Sequence, residues 1–365
     1  MSDRIYGFDI IRLVFFHAIF IFHLSLMMFY TTEIASSRFS SFSYAFEAYA
    51  RTFSSGGFVV IFLTCLLMGF SESRILSKLK LFGFMIAAWL IFQLILAPAY
   101  NSPVGWDVYP LILFTVSICL VLKLISDRLV YLLSIAGFVM LWIPFWEFRS
   151  LVMPMSEPLQ NILGFADCNL KEADEWPILP WAGICWMSYG VGLKVGKMWK
   201  TKPISLRLSL IELIIWISLL ALSSVNYGPM YRVSLGNEFS CAMYRFPPLV
   251  FWSHFIWPLF FIRISLDVRV QDYLSRLSIS KAISSLTMSR CFWLSYFVAY
   301  IYTFILGELY QYGVKISYDS IYYSLPLILL LGFSLSELTA NFLERVGRKL
   351  LKNYGKKKAD HQILI

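Results

Sequence analysis

The chain has 365 residues, of which 59% are hydrophobic and 15% are charged, and its formal net charge is +9. Because an average soluble domain carries about 25% charged residues, this composition excludes an ordinary water-soluble enzyme. It also excludes a disordered chain, since 32 Phe, 21 Tyr and 12 Trp residues cannot stay solvated. The basic residues lie between apolar segments, so the positive charge indicates membrane topology and not nucleic-acid binding.

Apolar segments recur along the chain at the length of roughly 20 residues that a membrane-spanning helix needs. They lie near 10–30, 56–71, 81–99, 110–126, 129–147, 179–196, 208–226, 248–266, 291–311 and 320–343. If the N-terminus is cytoplasmic, the inner segments contain 22 of the 31 Lys and Arg residues and the outer segments contain 7. Since cytoplasmic loops are enriched in Lys and Arg, we predict an all-α polytopic membrane protein with about ten transmembrane helices and both termini cytoplasmic.

The domain organisation predicted from these segments is simple. A single transmembrane domain covers residues 1–343, and a basic cytoplasmic tail follows over 344–365. The predicted location is the cytoplasmic (inner) membrane of a bacterium, with membrane lipids as partners and an oligomer as an open alternative. No CxxC pair or Cys/His cluster is present, so no metal is expected.

Ionisable residues within the first predicted helix are functional candidates, because a charge in lipid costs a few kcal/mol (about 2.5–3.5 on insertion scales). At 100° per residue, His23 lies within about 20° of Arg12 around the helix, and His17 lies about 140° away. Arg12 and His23 therefore share one face, about 16 Å apart along the axis. Asp9 precedes Arg12 by three residues and can pair with it. The structural alternatives are that Arg12 snorkels to lipid headgroups and that His23 bonds a neighbouring helix.

This face suits a long donor molecule with phosphates at one end and a reactive carbonyl at the other. The forked guanidinium of Arg12 can bind phosphate near the cytosolic surface. The imidazole of His23 can act as a general base at physiological pH, taking a proton from a hydroxyl group that attacks a thioester. Acyl-coenzyme A has that shape.

The stretch Arg4-Ile5-Tyr6-Gly7-Phe8-Asp9-Ile10-Ile11-Arg12, followed by ten residues and His23, resembles the opening helix of the acyltransferase-3 family. That family belongs to a superfamily that includes heparan-glucosaminide N-acetyltransferases. Leu179-Pro180-Trp181 and the glycines that follow are similar to a Pro-Trp helix of the heparan-type members. The resemblance implies about ten helices, acetyl-CoA as the acyl donor, and transfer to sugar hydroxyls or amines on the far side of the membrane.

Further candidates come from the remaining intramembrane polar residues. Arg263 near the cytosolic end of the eighth predicted helix is a second phosphate contact, or it snorkels. His254 on the same helix is a candidate for binding the acceptor, or a core histidine, and Trp181 is a second acceptor-binding candidate. Glu212 is expected to pair with an arginine. The glycines after Trp181 suit close helix packing as well as they suit a binding role.

The cysteines divide into two predicted groups. Cys65, Cys119, Cys185 and Cys291 are expected to be small core residues. Cys168 and Cys241 are predicted on the outer side, where a disulfide between them is one possibility.

The sequence therefore predicts an acyl-CoA-dependent acyltransferase, most simply an O-acetyltransferase, with His23 as its catalytic base. Asp9, Arg12 and Arg263 are the predicted donor-binding residues, and the acceptor is a cell-surface glycan or a lipid-linked sugar precursor. The alternatives are a transporter or flippase of a lipid-linked sugar or small anion, with Arg and His in an ion pathway, and a non-catalytic membrane assembly partner.

Overall fold

The structure is a computed structural model of the full chain, and it is all-α over the residues that it describes. These residues are 5–15, 56–70, 83, 86, 90, 108–143, 145, 148, 150, 155–156, 159–160, 163–165, 178–227 and 248–288. Within these ranges there is no β-strand, and no helix combines the length and the apolarity needed to cross a bilayer.

The helices follow the apolar segments closely. They are α1 over residues 6–15, α2 Gly56–Phe70, α3 Val108–Ile125, α4 Asp127–Met140, α5 Ile178–Thr201, α6 Leu210–Tyr227, α7 Pro248–Ser265, α8 Val268–Arg276 and α9 Ser278–Met288. A short 3₁₀ helix, Pro203–Leu206, connects α5 to α6. The sequence therefore predicted the bounds of α2, α3, α6 and α7 to within about two residues.

Local chemistry explains where α4 begins and ends. Ser126 has extended backbone angles and its hydroxyl oxygen accepts a hydrogen bond from Arg128 N at 3.2 Å, which separates α3 from α4. The predicted helix over 129–147 ends early, at Met140, and a turn follows. Because Pro144 has no N–H and restricts the residue before it, the helix cannot continue regularly through that position.

The chain divides into two compact units, residues 1–15 with 54–274 and residues 16–53 with 275–365. In the first unit α5 is the central helix, packed against α2, α3 and α4. A Cβ atom at Gly192 would meet Leu66 of α2, and one at Gly196 would lie 2.7 Å from Phe70 O, so α2 and α5 run parallel. α5 runs antiparallel to α4, since Gly183 packs on Gly137 and Gly190 on Ser134.

The glycines of α5 therefore have a packing role. A Cβ atom added to Gly183 would lie 2.5 Å from Gly137 O, and one added to Gly137 would lie 2.7 Å from Gly183 O. Only residues without a side chain allow two helix backbones to approach this closely. Between the two alternatives that the sequence left open for these glycines, the geometry supports packing.

The three described cysteines lie in the core of the first unit. Cys65 on α2, Cys119 on α3 and Cys185 on α5 are fully buried and are not in disulfides. They are small core residues, as the sequence predicted. Cys168, Cys241 and Cys291 lie outside the described residues, as does the predicted tail over 344–365.

Candidate functional site

The described part of the candidate site begins with an ion pair on α1. Asp9 is buried and Arg12 lies one helical turn later, with Arg12 Nη1 3.8 Å from Asp9 Oδ1. The predicted pairing of these residues is therefore confirmed. The Arg12 side chain is 27% exposed, so part of its surface is accessible to a ligand while the buried carboxylate holds its orientation.

The start of α1 is fixed by a residue 265 positions away in the sequence. Gln271 Oε1 accepts a hydrogen bond from Tyr6 N at 2.8 Å, which satisfies one of the backbone N–H groups that a helix start leaves unpaired. Gln271 Nε2 donates to Ser265 O at 2.5 Å. Gly7 packs so closely on Ser265 that a side chain would collide with its hydroxyl. The end of α7 and the first turn of α8 therefore set the position of the helix that carries Arg12.

Arg263 is engaged in a bidentate ion pair with Glu212. Its Nε and Nη2 atoms donate to the two carboxylate oxygens of Glu212 at 2.6 and 2.8 Å, and Nη1 donates to Leu206 O at 3.0 Å. The expectation that Glu212 pairs with an arginine is confirmed. Both edges of the guanidinium are occupied, so a phosphate group would have to compete with Glu212 for Arg263. The pair joins α6 to α7 and has a structural function in this conformation.

We expect Glu212→Gln to lower the free energy of unfolding by about 1–2 kcal/mol, because the partly buried guanidinium loses its charged partner. Glu212→Gln/Arg263→Gln should recover part of this loss, since it removes both charges. Thermal unfolding of the two variants and the wild type in the same detergent measures the difference. A double variant that is no more stable than Glu212→Gln would show that the unpaired charge of Arg263 does not account for the effect.

Asp267, at the turn between α7 and α8, is a buried carboxylate that accepts several hydrogen bonds. It is 2% exposed, and it accepts hydrogen bonds from Leu208 N at 2.6 Å and from Arg269 N at 2.8 Å. The Arg269 guanidinium also donates to it, at 2.8 and 3.1 Å. These bonds, above all those from the Arg269 side chain, hold the pKa of Asp267 far below its usual range.

Asp267 was not among the residues predicted to be important. The available signal is its position directly before α8, since an aspartate there accepts a hydrogen bond from the N–H two residues later and caps the helix. That signal predicts the bond to Arg269 N. It does not predict the bond from Leu208 N, because Leu208 is 59 residues away.

The depressed pKa of Asp267 makes its contribution to stability dependent on pH. The contribution is complete above the ordinary carboxyl pKa of about 3.9, and it is lost as the pH falls through the lower pKa of the folded state. We expect Asp267→Asn to be less stable than the wild type by about 1–3 kcal/mol near neutral pH. The difference should shrink below about pH 4. Unfolding midpoints of both proteins between pH 3 and 7 test this, and a constant difference would contradict it.

The remaining predicted site residues are placed as follows. His23 and His17 lie outside the described residues, and His254 lies on α7 with its side chain outside the described part. Trp181 is near the beginning of α5 and is 1% exposed, so it packs in the core and presents no surface to an acceptor in this conformation. The structure therefore pairs Asp9 with Arg12 and Arg263 with Glu212, and it places Trp181 in the core.

Several connections that were predicted to be cytoplasmic come together in the first unit. Lys197 Nζ contacts Asp127 Oδ2 at 2.5 Å, which joins the end of α5 to the α3–α4 turn. Leu208 bonds Asp267, and Gln271 bonds Tyr6. Tyr6 therefore lies at a polar end of the unit, and Arg12 follows it by six residues of helix. At 1.5 Å per residue, Arg12 is about 9 Å from that end.

Comparisons of the chain with protein-family models, curated proteins and solved structures find no match. The arrangement of the residues themselves is therefore the basis for the function proposed below.

Proposed function

We propose that the chain is a polytopic membrane acyltransferase. It transfers an acetyl or similar acyl group from cytosolic acyl-CoA to a hydroxyl or amine of a cell-surface glycan or its precursor. The observation that carries the proposal is the ion pair between the buried Asp9 carboxylate and the partly exposed Arg12 guanidinium. The sequence spacing separately predicts His23 on the same helical face as Arg12. A phosphate-binding cation and a general base on one helical face suit a donor that is long, anionic at one end and reactive at the other.

Location in a membrane is supported by the outer surface of the described helices. Large aliphatic residues are exposed on α3, α4 and α6, and Leu210 and Ile211 of α6 are 73% and 72% exposed. Exposed aliphatic side chains in this number are unfavourable in water. The directions of the helices also agree with the proposal, since alternating spans would place α2 parallel to α5 and α4 antiparallel to it.

In the proposed reaction, Arg12 binds phosphate oxygens of acyl-CoA, and Asp9 holds the guanidinium in place. The acceptor hydroxyl approaches His23 from the outer side, and His23 takes its proton as the oxygen attacks the thioester carbonyl. The C–O bond forms and the C–S bond breaks. The proton on His23 then passes to the leaving CoA sulfur, which returns the imidazole to its neutral form. Excluding bulk water from the path limits hydrolysis of the thioester.

The direct experiment is to reconstitute the purified protein in liposomes, add radiolabelled acetyl-CoA and a panel of glycans and lipid-linked sugars, and measure label in the sugar. We expect label to enter at least one sugar, with release of one CoA thiol for each acetyl group transferred. Counterflow of a lipid-linked sugar with no acetylation would instead support the flippase alternative and contradict the proposal.

A further inference from the structure

A group of basic residues lies at the end of the first unit where α3 meets α4 and α5 ends. We define the basic rim as Lys123, Arg128, Lys194, Lys200, Lys202 and Arg207. All but Lys123 are exposed, and Lys123 is half-buried. The contact between Lys197 and Asp127 brings the two parts of the rim together. The chain then runs directly from α5 through the 3₁₀ helix to Arg207.

Among the described residues, the rim carries an excess of positive charge on one side of this end of the unit. Residues 123–128 and 194–209 contain seven Lys and Arg residues and one carboxylate, Asp127. On the other side, where α6, α7 and α8 meet, the arginines have internal counterions, because Arg263 pairs with Glu212 and Arg269 with Asp267. The paired arginines on that second side stabilise the fold, and five of the six rim residues are exposed at the surface.

Exposed aliphatic residues adjoin the rim at each of its parts. Leu124 and Ile125 follow Lys123 and are each 70% exposed, and Ile204 in the 3₁₀ helix is 68% exposed. On α6, Leu210 follows Arg207 by three residues and is 73% exposed. The rim thus places positive charge next to an apolar surface. An anionic phospholipid has the complementary arrangement, with a negative headgroup next to apolar acyl chains.

We propose that the basic rim binds the headgroups of anionic phospholipids, with their acyl chains along the exposed aliphatic residues of α3, α4 and α6. Basic residues next to a membrane-embedded surface attract anionic headgroups electrostatically. A soluble nucleotide would satisfy the charges but leave the adjoining aliphatic surface uncovered, so the lipid is the better fit. The proposal requires that the protein resides in a membrane, and it is independent of acyl transfer.

The test uses full-length protein in an uncharged detergent with equal amounts of phosphatidylglycerol and phosphatidylcholine. Native mass spectrometry then counts the lipid molecules that stay bound to the protein. We expect phosphatidylglycerol to be retained in preference to phosphatidylcholine by the wild type. In Arg128→Gln/Arg207→Gln the affinity for phosphatidylglycerol should fall roughly 30-fold, because each basic residue near a headgroup contributes about fivefold. The matched control, Arg276→Gln/Lys281→Gln, removes the same charge from exposed positions on α8 and α9 and should bind like the wild type.

Three results would overturn the proposal. The first is equal retention of the two lipids by the wild type, and the second is equal loss of phosphatidylglycerol in both double variants. The third is displacement of phosphatidylglycerol by acetyl-CoA, which would make the rim a nucleotide site. Thermal unfolding of each variant checks that it is folded. If Arg128→Gln/Arg207→Gln does not fold, Lys194→Gln alone should show a smaller loss in the same direction, and unchanged binding by that variant would contradict the proposal.

Discussion

Replacing His23 with glutamine is expected to lower the rate of acetyl transfer by about 10²–10⁴-fold, the usual contribution of a positioned general base. Glutamine retains a polar side chain of similar length, but it cannot accept the proton of the attacking hydroxyl group. The amount of folded protein and its affinity for acetyl-CoA should stay close to those of the wild type. The measurement is the initial rate of label transfer from acetyl-CoA to the sugar acceptor, with unfolding temperature and donor affinity measured in parallel.

His17→Gln is the matched control for this experiment. His17 belongs to the same predicted helix, but it lies about 140° around the axis from Arg12. The substitution should leave the transfer rate within a few-fold of the wild type. A His23→Gln variant that transfers acetyl normally, or a His17→Gln variant that is equally impaired, would remove His23 from its proposed role.

Gly192→Ala is expected to destabilise the first unit by about 1–3 kcal/mol or more, because overpacking forces backbones apart. The added Cβ atom would collide with Leu66 O, and it would lie 2.8 Å from the carbonyl carbon of the same residue. A backbone carbonyl cannot rotate away as a flexible side chain would, so α2 and α5 must separate. Thermal unfolding in detergent should show a lower midpoint and a smaller yield of folded protein.

Gly83→Ala is the control for the same chemical change. A Cβ atom at Gly83 meets no other atom within 4 Å, and the residue is exposed and helical. Alanine is a better helix former than glycine by about 0.5–1 kcal/mol, so this variant should be as stable as the wild type or slightly more stable. If both variants unfold at the wild-type temperature, close packing at Gly192 is not needed for stability.

Local patterns were sufficient to predict the all-α class and most helix bounds. Apolar runs of about 20 residues have few alternative structures, and the breaks between them carry charged residues, serine and proline. The pairing of Asp9 with Arg12 was predictable for the same reason, since residues three apart meet on a helix. The glycines on α5 suited close packing as well as a binding role, and the sequence could not say which helices they would meet.

Contacts between distant segments could not be predicted. Gln271 and Tyr6 are 265 residues apart, and nothing in either local sequence indicates that one supports the helix start of the other. Glu212 was expected to find an arginine, but the choice of Arg263 over the other arginines depends on how α6 packs on α7. The early end of α4 was missed because hydrophobicity alone continues past Met140, whereas the backbone does not continue as a helix to Pro144.

The most direct test of the proposed donor site is the affinity of the purified protein for radiolabelled acetyl-CoA, measured at equilibrium for the wild type, Arg12→Ala and Arg128→Ala. Loss of a charged hydrogen-bonding group costs about 1.5–3 kcal/mol. Arg12→Ala should therefore bind acetyl-CoA roughly 10- to 150-fold more weakly. Arg128→Ala, which removes an arginine of the basic rim, should bind it like the wild type. Equal affinity of all three proteins would contradict the assignment of Arg12 as the residue that holds the donor.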